Sequence, residues 1–171
     1  RALDDLENGS IDPDDLAALP PGMDSFYLDA FERRFARAGR DYAPAGDLLG
    51  VLALAKEPLP AATLAEILGQ PASALQAVRR LLPDFIRLRG DLWAFDHFSL
   101  AEWLTGLDDD GFARAGDYAI DADASMERFR IWALRRIDDG TVHESAYLVR
   151  HLAAHLIDND ERQRVFARLL L

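Results

Sequence analysis

At 171 residues the chain is long enough for one compact domain or two small ones, with no need of a disulfide or metal staple. Half of its residues are apolar and 29% are charged, which excludes a disordered chain, and the absence of cysteine points to the cytoplasm. A net charge of −11, with Lys56 the only lysine, argues against a nucleic-acid partner, because phosphate backbones are held by clustered Lys and Arg.

The predicted elements fall into three blocks. In residues 1–40, Pro20 and Pro21 break the chain and Asp24 is placed to cap a new helix. Phe26, Tyr27, Ala30, Phe31 and Phe35 recur at helical spacing as one apolar stripe, with Gly39 where a C-terminal stop belongs. Arg1 lies within what already reads as a helix, so the sequence is expected to be a piece of a larger protein. Its Arg- and Ala-rich composition fits a bacterial gene of high GC content.

Residues 41–106 carry the clearest pattern. "DLLGVLALAKEP" reads as a short apolar helix ended by Pro58. Leu64, Ile67 and Leu68 then form one helical face that Gly69 ends, and Pro71 opens a second helix with Leu75, Val78, Leu81 and Leu82 on its face. "FIRLR" and "LWAFDH" alternate around Gly90-Asp91, a hairpin signal, although Gly-Asp is a weaker turn order than Asp-Gly. Three helices followed by a two-stranded β-hairpin predict a winged helix-turn-helix in a mainly α chain, flanked by helical segments.

After the acidic linker "LDDDG", residues 107–171 read as a helical domain. Met126, Phe129, Ile131, Trp132, Leu134 and Ile137 give a wide apolar face, and "HESAYLVRHLAAHLID" and "DERQRVFARLLL" follow as two more helices joined at Asn159, with Asp158 or Asp160 as the cap of the last. The final leucines are expected to pack against this block or against residues beyond it. No apolar run nears the roughly 18 residues that span a bilayer, and no signal peptide is present, so no membrane partner is expected.

Among candidate sites, the second helix of the helix-turn-helix offers Gln76, Arg79 and Arg80, and the wing adds Arg87 and Arg89, as a DNA reader requires. Asp47, Glu57, Glu66, Asp84, Asp91, Asp96 and Glu102 oppose them in the same block, which favours a packing module over a transcriptional regulator. His151 and His155 have metal-ligand spacing on a helix, but "HLAAH" lacks the glutamate of H-E-x-x-H, and with only His143 and Glu144 imaginable as further ligands, packing or surface hydrogen bonding is the favoured role. Acid pairs in "DDLENG", "DPDD" and "LDDDG" read as solvated loops and helix starts. There is no P-loop, no G-x-S-x-G and no cysteine nucleophile, so no catalytic activity and no metal are expected in this chain.

Several stretches in this order resemble the middle of a NACHT-type STAND P-loop ATPase. "LPPGMDSFYLDAFERR" is similar to the LP-x-G-[LM]-x-x-x-Y-x-x-x-x-x-R segment closing the small helical domain, and "LLGVLALAKEPLPAATLAEILGQPASALQAVRRLLPDFI" to the family's winged helix. "FDHFSLAEWL" resembles its F-x-H-x-S-[FL]-x-[ED]-[FW]-L signature, and "YLVRHLAAHL" its Y-x-x-x-H-L-x-x-H-L. The resemblance implies that His97, with Phe95, Ser99, Glu102, Trp103 and Leu104 in register, touches the β-phosphate of ADP held by the nucleotide-binding domain of the same chain. The bare alternative is a partly buried histidine bonded to the hairpin or the next helix. Met23, Tyr27 and Arg33 match positions read as structural. The resemblance further implies ADP or ATP with magnesium in the parent, contact with a C-terminal repeat region, and oligomerisation on activation. The family's phosphate-binding loop, its acidic magnesium and base residues and its adenine-contacting proline would lie upstream of Arg1.

Overall fold

A computed structural model describes residues 22–155. The predicted break at Pro20 and Pro21, the helix at "DERQRVFARLLL" and its caps lie outside them. Seven α-helices and a three-stranded antiparallel sheet make up the described chain: α1 (Met23–Arg34), α2 (Ala43–Leu54), β1 (Leu59–Pro60), α3 (Ala61–Leu68), α4 (Ala72–Leu81), β2 (Ile86–Arg89), β3 (Leu92–Phe95), α5 (Phe98–Thr105), α6 (Ala122–Asp138) and α7 (Ala146–His155). No helix among the described residues is long and apolar enough to cross a membrane.

The winged helix-turn-helix runs from α2 to β3. Gly69, at φ +62°, ends α3 in the left-handed conformation that glycine adopts without steric cost, and three residues later α4 starts behind Pro71. The hairpin pairs Ile86 with Phe95 and Arg89 with Leu92 across Gly90-Asp91. Only Gly90 has a positive φ there, so the Gly-then-Asp order that looked weak suits a turn whose first central residue alone is left-handed. The sheet is larger than the predicted hairpin by one strand. Leu59 and Pro60 pair with Trp93 and Leu92, which puts β3 in the middle, with strand order β1-β3-β2. A two-residue strand ending in proline leaves no alternating run to find in sequence.

One contiguous core joins all three sequence blocks, from Tyr27 on α1 to Leu148 on α7. Its centre is aromatic: Phe31, fully buried, stands within 6.1 Å (ring centroids) of Phe35, Tyr42, Phe85, Trp103 and Tyr118. The Tyr42 hydroxyl donates to the Tyr118 carbonyl at 2.7 Å, and burial, with Tyr118 adding to it, pushes its pKa well above the ordinary tyrosine range. α6 lies against α2 and α3, where Glu66 accepts from Trp132 Nε1 at 2.9 Å and pairs with Arg136 at 2.7 Å. Burial raises the Glu66 pKa, but the bonds from Arg136 and Trp132 outweigh it and hold the carboxyl below its usual value.

Several local expectations need correction. Gly22, not Asp24, occupies the N-cap of α1; Asp24 lies inside the first turn and forms a bidentate pair with Arg114 at 3.1 Å. α1 stops at Arg34, and Gly39, at φ +61°, closes the turns that follow. Phe26 and Ile131 sit on the predicted apolar faces yet are exposed, because those helices meet the core along narrower strips than their hydrophobic stripes allow. "HESAYLVRHLAAH" is not one helix either: a short 3-10 turn (Val142–Glu144) and extended Ser145 precede α7.

Candidate functional site

His97 stands where the wing ends. The Asp96 N–H donates to the Phe85 carbonyl at 3.0 Å, closing the β2–β3 ladder, and His97 follows in extended conformation as the N-cap of α5. Its backbone is fixed from the helix side. The Ser99 hydroxyl bonds the Tyr27 hydroxyl at 2.8 Å, tying α5 to α1, while Leu100, Trp103 and Leu104 are buried. The imidazole itself is free of the core: its side chain is 71% exposed, makes no capping bond, and places Nε2 3.5 Å from Asp96 Oδ2. Within the signature, Leu100, Trp103 and Leu104 are buried, Phe95, Ser99 and Glu102 are half-buried, and the His97 ring is exposed.

Beside it opens a groove of about 390 Å³ between α1 and the root of the wing. Its floor is Met23, Tyr27, Phe85 and Leu100, and its mouth carries Phe26, Asp84, Asp96 and His97. Of the positions read as structural, Tyr27 is a core residue, Met23 is half-buried against the core, and Arg33 is a surface residue paired with Asp29 at 2.9 Å.

The basic residues of the helix-turn-helix do not form an uninterrupted surface. Arg80, Arg87 and Arg89 are exposed, but Arg87 lies 3.9 Å from Asp96, and Asp84 and Asp91 stand on the same wing. The two C-terminal histidines separate in role. His155 is fully buried, stacks on Phe129 at 4.1 Å and 9°, and shares a 2.7 Å hydrogen bond between its Nε2 and the Tyr147 hydroxyl, which also accepts the Lys56 backbone N–H at 3.2 Å. His151 Nε2 lies 3.7 Å from Glu57, which also pairs with Arg150. With one histidine committed to a tyrosine, no group of three metal-ligating side chains forms among the described residues.

No family model, curated protein or solved structure matches the chain. Sequence reading singled out His97 with the Asp96 carboxylate next to it in the chain, but not Asp84, nor the Lys56–Tyr147–His155 chain of bonds. The two carboxylates are juxtaposed only by the strand pairing, and Tyr147 sits one turn before His151 on an ordinary apolar face.

Burial, with the positive charges of Lys56 and His151 adding to it, lowers the His155 pKa to about 4, and burial pushes Tyr147 up to about 12. His155 is therefore neutral in the fold at pH 7. As pH falls below the ordinary histidine value of about 6.5, the unfolded chain binds a proton that the folded chain refuses, so stability drops until about pH 4. Urea unfolding should show a loss of about 1.5 kcal/mol between pH 6.5 and 5 from this group. His155→Gln should flatten that part of the profile; an unchanged slope would remove His155 as its source.

Proposed function

We propose that this chain is a non-catalytic regulatory module of a STAND/NACHT-type signalling ATPase, which helps to hold the ADP-bound resting state and relays its release. The observation that carries the reading is the exposed imidazole of His97, inside a signature whose Leu100, Trp103 and Leu104 are buried and whose Phe95, Ser99 and Glu102 are half-buried. An imidazole N–H donates well to a phosphate oxygen, and the exposed ring leaves its nitrogens open to such an acceptor. The ring adds a contact present in one arrangement of the parent's domains and absent in the other, which is what a population switch requires.

On this reading the partners are the nucleotide-binding domain of the same chain, which would supply ADP or ATP with magnesium, and a C-terminal repeat region. Assembly on activation in the cytoplasm would follow. The net charge and the acids of the wing weigh against the rival reading as a DNA-binding regulator.

The test is His97→Ala in the intact parent, with bound nucleotide and basal signalling both measured. A charge-assisted bond to phosphate is worth about 1.5–3 kcal/mol, so ADP retention should weaken by roughly tenfold or more and basal output should rise. Unchanged retention with unchanged output would end the proposal.

A further inference from the structure

The groove beside His97 has a chemistry of its own that the nucleotide reading does not use. Its floor is apolar and aromatic, its mouth holds two carboxylates and His97, and among the described residues no Arg or Lys lines it. The carboxylates are neighbours by construction: Asp96 donates its backbone N–H to the carbonyl of Phe85, the residue after Asp84. Both keep open faces, the Asp84 side chain being 70% exposed and that of Asp96 41% exposed. Phe26, 57% exposed, packs edge-on to Tyr27 at 5.6 Å and offers its ring at the mouth.

The protein already shows what such a combination binds. Arg34 of α1 sets its guanidinium 4.9 Å over the Phe85 ring and pairs with Asp84 at 2.6 Å, using an aromatic face and a carboxylate together. The groove side repeats those parts, with Phe26 and Tyr27 as the rings and Asp96 as the carboxylate; Arg87 stands 3.9 Å from Asp96 Oδ1 and His97 Nε2 3.5 Å from Oδ2, both looser than the 2.6 Å pair of Arg34 with Asp84, so a closer cation has an open carboxylate face to meet.

We propose that this groove is a docking site for a basic, apolar-flanked protein segment, one that sets an arginine against Asp96 and the Phe26–Tyr27 rings and an apolar neighbour against Met23 and Leu100. Charge complementarity chooses the occupant: a second copy of this acidic chain would bring like charge to the mouth.

The probe is N-acetyl-leucyl-arginine amide, titrated into the isotope-labelled 171-residue chain, with the citrulline dipeptide as a neutral isostere. The arginine dipeptide should give saturable shifts at the amides of Phe26, Asp96, His97 and Leu100, and the citrulline form should not. Asp96→Asn and Phe26→Ala, both at exposed side chains, should each weaken binding by about fivefold, while Asp123→Asn, an exposed acid on α6 outside the groove, should leave it unchanged. Phe26 takes no part in the phosphate contact, so Phe26→Ala tests the groove apart from the nucleotide reading. Equal binding of the citrulline dipeptide, shifts confined to other surfaces, self-association that covers these residues, or no saturable shift by about 20 mM would each overturn the proposal.

Discussion

Replacing Phe31 by alanine is expected to cost about 3–5 kcal/mol in urea unfolding, a large part of the total stability of a domain of this size. The ring is fully buried and packs with five other aromatic side chains drawn from the C-cap of α1, α5, the segment before β2 and the segments around Tyr42 and Tyr118. A void there borders rings that are each pinned by further partners, such as Tyr42 by its bond to the Tyr118 carbonyl, so the site cannot easily collapse. The matched control is Phe26→Ala, five positions earlier on the same helix, which should change stability by no more than about 0.5 kcal/mol because that ring already faces water. Similar costs for the two variants would show that the aromatic centre is not where this fold keeps its cohesion.

Gly50→Val should destabilise by about 3 kcal/mol, the upper end of what overpacking usually costs. Gly50 is buried on α2 where α6 crosses it, and even a single added methyl would overlap the Ser125 hydroxyl and press on Ser125 Cβ at 3.3 Å. The hydroxyl is able to rotate aside but Cβ is not, so Gly50→Ala should cost less than valine. Combined with Ser125→Gly, that cost should largely disappear once the intrinsic helix penalty of about 1 kcal/mol for the new glycine is subtracted. Strict additivity of the pair in chemical denaturation would contradict a direct contact between the two helices at this point.

The helices were legible because their periodicity is local, and the helix-turn-helix because Gly69 and Pro71 punctuate it in the only places that chemistry allows. What could not be read were relations that exist only once strands pair. β1 is two residues long and is defined by Trp93 and Leu92 opposite it, and Asp84 comes beside Asp96 through the Phe85 carbonyl. The same holds for Phe26 and Phe31: both lie on one stripe by spacing, and the packing of α5 against α1 decides which of them is covered. His97 was singled out by the company it keeps in sequence, but its exposure follows from tertiary contacts at Ser99 and Trp103. His155 was expected to pack or to hydrogen-bond at the surface; it packs, and its bonded partner Tyr147 is in turn held by the Lys56 amide 99 positions away.

The histidine at the head of α5 closes no cap and fills no hollow, though its main chain is clamped on both sides. Folding is therefore indifferent to which side chain grows from that Cα. Glutamine, asparagine or alanine can be exchanged there without disturbing the scaffold, so any change in behaviour that follows will report on whatever meets the ring from outside.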